Sequence, residues 1–139
     1  MVLVSHQGVI SQRKRHMNVD TVIKCVCRMP IDFKQRGNVS MISLLNESGY
    51  INYRDKIDEN KIIRYLKEDK SIVDSWISFS EDQRCTPSWY FDGKTVGYIN
   101  TSGKAENEEH YDDSVTGCAS YIKKILEDLI KTKGREKRR

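Results

Sequence analysis

A helix signal and a hairpin signal stand back to back between Ser71 and Ile99, SIVDSWISFSEDQRCTPSWYFDGKTVGYI, and this succession restricts the chain to folds that mix helices with an antiparallel sheet. Asp92-Gly93 is the strongest turn in the sequence, because both central positions of a type I′ turn need positive φ and this pair supplies it cheaply. With these two residues as the loop, Phe91 faces Lys94, Tyr90 faces Thr95 and Trp89 faces Val96. Trp89, Phe91, Val96 and Tyr98 then share the core side, and Tyr90 turns to the surface. Upstream, Ser71 with Asp74 three residues on has the form of a capping box. Behind it, Ile72, Val73, Trp76, Ile77 and Phe79 form an apolar stripe on a helix.

The flanking segments fill in an α+β domain. Val19 to Arg28 is rich in β-branched residues and predicts a strand, with Thr21, Ile23, Cys25 and Cys27 on one face. Pro30 ends it and DFKQRGN predicts a loop. Ser40 to Glu47 predicts a short helix stopped by Gly49, Tyr50 to Tyr53 an extended linker or strand, and Asp58 the cap of a further helix bearing Ile62, Ile63 and Leu66. A third strand is expected around His110 and Tyr111, after the polar loop NTSGKAENEE. Val115, Cys118, Ala119, Ile122, Ile125, Leu126, Leu129 and Ile130 recur at three and four residues. They predict a long last helix packed on the sheet, behind Asp112 and Asp113 as caps and with Gly134 as its stop. Gly117 in its first turns costs about 1 kcal/mol against alanine and points to close backbone packing.

Residues 1–16 share no pattern with the rest and are expected to be poorly ordered, Met17 being an alternative start. Residues 17–131 form the α+β domain, and 132–139 a basic tail. The length of 139 residues suits one core. The overall charge of +4 hides a division: Lys131–Arg139 carries six positive charges and one negative, and Arg13, Lys14 and Arg15 add three more. Residues 17–130 are therefore left at −4. No apolar run nears the roughly 20 residues that span a bilayer, so no membrane contact is expected. The opening VLV is too short for a secretory signal, and the basic stretch after it lacks the periodicity of a transit peptide. A cytoplasmic protein with Cys25, Cys27, Cys85 and Cys118 reduced is expected.

Residues able to do chemistry are scattered. Cys25-x-Cys27 has neither the spacing of a zinc knuckle nor a second pair to join it. Cys85 with His110 as a base lacks any nucleophile signature. Glu106, Glu108, Glu109, Asp112 and Asp113 put five carboxylates within eight residues, without the order of a calcium loop. Such a loop beside an exposed aromatic ring can instead imitate the phosphate-rich ligand of a basic protein. Glu81, Asp82 and Arg84 combine both charge signs between helix and hairpin and predict a structural corner, a carboxylate holding Arg84. The basic tail offers a weak, salt-sensitive, non-specific contact to nucleic acid.

The segments W-I-S-F-S-E-D-Q-R (Trp76 to Arg84), S-W-Y-F, V-G-Y-I and D-D-S-V-T-G-C-A-S-Y-I resemble those of small bacterial single-domain proteins that act as immunity partners of secreted or contact-delivered toxins. The resemblance spans about Ile42 to Leu129, departs at Thr86-Pro87, and involves no catalytic motif. It implies a non-catalytic inhibitor that covers the active site of a cognate toxin, a nuclease being one type. The partner-binding residues are then Tyr90, Glu106, Glu108, Glu109, Asp112 and Asp113. No residue is assigned to catalysis or to a metal, and no cofactor is expected. The competing expectation is a nucleic-acid-associated module that uses the basic termini.

Overall fold

The computed structural model describes residues 18–83 and 87–137, with the backbone alone for 133–137. Among the described residues, seven helices and a three-stranded antiparallel sheet make an α+β fold. The N-terminal part holds more helix than the sequence suggests. The segment expected as the first strand is α1 (Val19–Cys27). Strand alternation would put Val22 and Val26 opposite Ile23 and Cys27, whereas one helix face buries all four. Asn18 caps this helix by accepting from the Thr21 N–H at 2.9 Å. Burial against neighbouring helices outweighs the small helix penalty of β-branched residues.

The expected loop is α2 (Met29–Arg36), joined to α1 through Arg28 alone. Pro30 lies in its first turn, where a missing N–H costs nothing, so this proline opens a helix instead of only closing the element before it. Gly37, at φ 72°, ends it. The next helix, α3 (Met41–Ser48), is closed by Gly49 as predicted, and Ser40, expected as its first residue, is its cap. Tyr50–Tyr53, expected to be extended, forms the single turn α4 and runs into a 3-10 turn at Arg54–Lys56. Asp58 caps α5 (Glu59–Glu68), accepting from the Lys61 N–H at 2.9 Å.

Ser71 opens α6 (Ser71–Asp82) as its first helical residue and not as its cap. The carboxylate that receives its N–H, at 3.2 Å, belongs to Asp69, so the expected box with Asp74 is absent. Trp76 is wholly buried. Its Nε1 donates to the Cys27 carbonyl at 2.7 Å, satisfying one of the acceptors that the end of α1 leaves open, and its ring meets Phe79 and Tyr121 edge-on.

β1 (Ser88–Phe91), β2 (Thr95–Ile99) and β3 (Ala105–His110) follow in sheet order. The hairpin register differs by two residues from the expected one: Phe91 faces Val96, Tyr90 faces Gly97 and Trp89 faces Tyr98. The loop is longer because the Asp92 carboxylate takes the Lys94 and Thr95 N–H groups at 3.0 and 2.8 Å, and Gly93 alone holds positive φ. A shift of two keeps every side chain on its predicted face. The third strand begins earlier than expected, at Ala105, inside the presumed loop. It carries a bulge at Asn107, whose φ is 55°.

The last helix, α7 (Ser114–Lys137), lies under β1 and β2 and also against α3 and α5. Residues 117–122 are consequently buried all round. It passes through Gly134, the expected stop. At Gly117 a Cβ would lie 3.0 Å from Phe91 Cε1 and 3.3 Å from Tyr111 Cδ2, the close approach that the glycine suggested. Asp113 caps the helix through the Thr116 N–H at 3.0 Å and hydroxyl at 2.7 Å. Behind it, Lys123 donates to the buried Tyr50 hydroxyl at 2.6 Å and to the Ile57 carbonyl at 2.9 Å. Arg54 forks onto Glu127, which ties the α4 turn to α7.

Candidate protein-binding surface

Charge is distributed unevenly over this fold. Residues 17–87 hold eleven basic and eleven acidic side chains, and residues 114–130 hold two of each. The whole −4 of the body therefore falls on residues 88–113, where Asp92, Glu106, Glu108, Glu109, Asp112 and Asp113 face only Lys94 and Lys104. These residues are the sheet and its junction with α7. β3 is an edge strand, all six of its residues are exposed, and among the described residues β2 is its only strand neighbour. Three glutamates on a short, bulged edge are also what keeps such an edge from pairing indiscriminately.

The sheet sorts the predicted residues between its two faces. Tyr90, Gly97 and Glu108 lie on the face turned away from α7. The phenol ring crosses bare backbone at Gly97 and its hydroxyl donates to the Glu108 carboxylate. Burial of the ring, followed by the Glu108 hydrogen bond and charge, pushes the Tyr90 hydroxyl up to about 12. Thr95 Oγ1 and His110 Nδ1, 2.9 Å apart, continue this face. Glu106 and Glu109 pair with Tyr98 and Val96 and so face the α7 side. Glu106 accepts from Asn100 at 3.0 Å. Glu109 lies 3.6 Å from Lys124, whose ammonium sits 5.1 Å from the centre of the Trp89 ring. Trp89, half-buried, meets Tyr98 edge-on, while Phe91 is fully in the core.

Only Tyr90 and Glu108 among the six are brought into contact. Glu106 and Glu109 flank them along β3 from the other face. Asp112 stands exposed at the junction, and Asp113 is committed to capping, its carboxyl held below the ordinary range by the Thr116 hydroxyl and N–H. Glu81 and Asp82 are exposed at the end of α6. Arg84, their expected partner, and Cys85 lie outside the described residues.

Burial pushes the Cys25 thiol up, takes Cys27 to about 12 and raises Cys118 as well, the opposite of what a nucleophile needs. Among the described residues no three His, Cys, Asp or Glu side chains gather where they could hold a metal ion, and no helix is long and apolar enough to cross a membrane.

Two features escape the sequence reading. One is the seat for Tyr90, signalled only by a glycine between Val96 and Tyr98 in a strand. The other is a groove between α2 and α6, invisible once α2 is expected to be a loop. Comparison with protein-family models, with curated proteins and with solved structures finds no match for the chain.

Proposed function

We propose that this chain is a non-catalytic protein-binding inhibitor, an immunity-type protein that neutralises a cognate toxin in the cytoplasm by covering a basic active site, such as that of a nuclease. The observation that carries this reading is the concentration of the body's net negative charge on one sheet whose edge strand is exposed throughout. A negative field over an accessible strand steers a basic partner toward one orientation and raises the encounter rate. Tyr90 and Glu108 supply a braced aromatic and anionic pair on the face turned away from α7, and Glu106 and Glu109 flank it along the exposed edge of β3 from the other face. Their mutual bracing lowers the side-chain entropy lost on binding. The resemblance of the Trp76–Ile122 segments to immunity proteins supplies the kind of partner.

The test is association with the product of the neighbouring reading frame, followed by stopped-flow fluorescence at low and high salt. The triple variant E106K/E108K/E109K should associate about tenfold or more slowly, with a flatter salt dependence and a smaller change in dissociation. An unchanged association rate would remove the proposal. Binding to RNA or DNA that vanishes on deletion of Lys131–Arg139 would replace it with the nucleic-acid reading.

A further inference from the structure

A second surface lies apart from β3, since α6, β1 and β2 pack in succession between them. A groove of about 570 Å³ runs between α2 and α6. Its volume has a local cause. α6 presents Ser75 and Ser78 toward α2 where larger residues would have closed the space, and the Ser75 hydroxyl turns back to donate to the Ile72 carbonyl at 2.6 Å. What remains facing the groove is mainly apolar: Ile31 and Phe33 from α2 and Phe79 from α6. Phe33 is 38% exposed, one of only two large apolar side chains among the described residues to be so. Exposing an aromatic ring beside an apolar trough is costly unless something else covers both.

The rim identifies the occupant. On the α6 side stand Asp74 and Asp82, both exposed, with no hydrogen bond or ion pair among the described residues. They are eight residues apart, about 12 Å along the helix axis. On the α2 side stands Lys34. The two walls therefore differ in sign. We infer that this groove docks an amphipathic helix of a partner protein, its apolar stripe laid over Phe33 and Phe79 and its Lys or Arg side chains, two turns apart, set against Asp74 and Asp82. Lys34 disfavours a basic flank on its own side and so fixes which way round the helix lies. The inference does not depend on the role given to β3.

The probe is a fluorescein-labelled peptide of about four helical turns, with leucines three and four residues apart, lysines along one flank of that stripe and glutamines along the other. Fluorescence anisotropy against the full chain should show saturable binding. D74N/D82N should weaken it about three- to tenfold, as expected for two exposed ion pairs. S78W, which fills the trough, should abolish binding, and F33A should weaken it if S78W fails to fold by circular dichroism. E106K/E108K/E109K should leave it unchanged. Absence of binding to the wild-type chain, equal binding of a peptide with glutamate in place of lysine, or undiminished binding by F33A overturns the inference. So does a homodimer by light scattering that F33A dissociates, since the occupant would then be a second copy.

Discussion

Replacing Gly97 by alanine tests the braced Tyr90–Glu108 pair on the sheet face turned away from α7. A Cβ at residue 97 would lie 2.6 Å from Tyr90 Cε2, 2.7 Å from its hydroxyl oxygen and 2.8 Å from Cζ, too close for any real contact. The clash falls on the far end of one side chain, so the ring lifts by about 1 Å and the strand stays in place. Lifting it breaks the hydrogen bond to Glu108, worth about 1 kcal/mol at this accessible position. It also re-exposes on the order of 50 Å² of ring, about 1.2 kcal/mol at 25 cal/mol/Å². Against this stands a gain of about 0.5–1 kcal/mol from replacing glycine in a strand. The net is a loss of about 1–2 kcal/mol, or roughly 3–7 °C in Tm for a chain of this length.

Urea unfolding gives the first readout and ultraviolet titration of the tyrosines the second. Tyr90, pushed up to about 12 in the native chain, should fall back toward the ordinary 10 in G97A. A phenol whose folded pKa is raised contributes stability that is complete below about pH 10 and is lost as pH climbs to about 12, so the native chain should lose this increment in that window and the variant should not. A G97A chain as stable as the parent, with its tyrosine titration unmoved, would refute the reasoning.

Trp76→Phe keeps most of the ring but removes the donor to the Cys27 carbonyl. It should cost about 2–4 kcal/mol by equilibrium unfolding, the sum of a stranded buried acceptor and a small cavity. Asp113→Ala should cost about 1 kcal/mol at neutral pH through loss of the α7 cap, with Asp113→Asn retaining most of the stability. Because the Asp113 carboxyl is depressed in the folded chain, its contribution is present above the ordinary carboxylate range and fades as pH falls through the folded value. The difference between wild type and D113A should therefore shrink in acid.

Elements whose signals are local could be read directly. Asp58 and Asp113 cap the helices they were expected to cap, and Ser40 caps α3 in the same way, because a side-chain oxygen and an N–H three residues on need no tertiary partner. Gly49 closes α3 for the same kind of reason. The Asp92-Gly93 turn was evident, but its loop length was not: the Asp92 carboxylate captures two N–H groups and lengthens it. Val19–Cys27 misled because alternation and a five-residue apolar face coexist in VDTVIKCVC. The choice between them lies with the helices that bury Val22, Ile23, Val26 and Cys27 together.

The candidate surface divides in the same way. Its carboxylates and its tyrosine could be picked out as a cluster, and their excess over lysine is a count. Which of them meet was not legible, since residues adjacent in sequence on a strand point to opposite faces and a bulge at Asn107 changes that alternation midway. Composition and spacing alone determined that this chain is a mixed α+β molecule with a basic end and a carboxylate-rich stretch before its last helix. Tertiary structure decided that Tyr90 leans across Gly97 onto Glu108, that Asp113 serves a helix, and that two serines leave a trough beside Phe33. Each of these depends on what stands opposite a residue in space, and the pattern of one segment carries no record of the segment that will cover it.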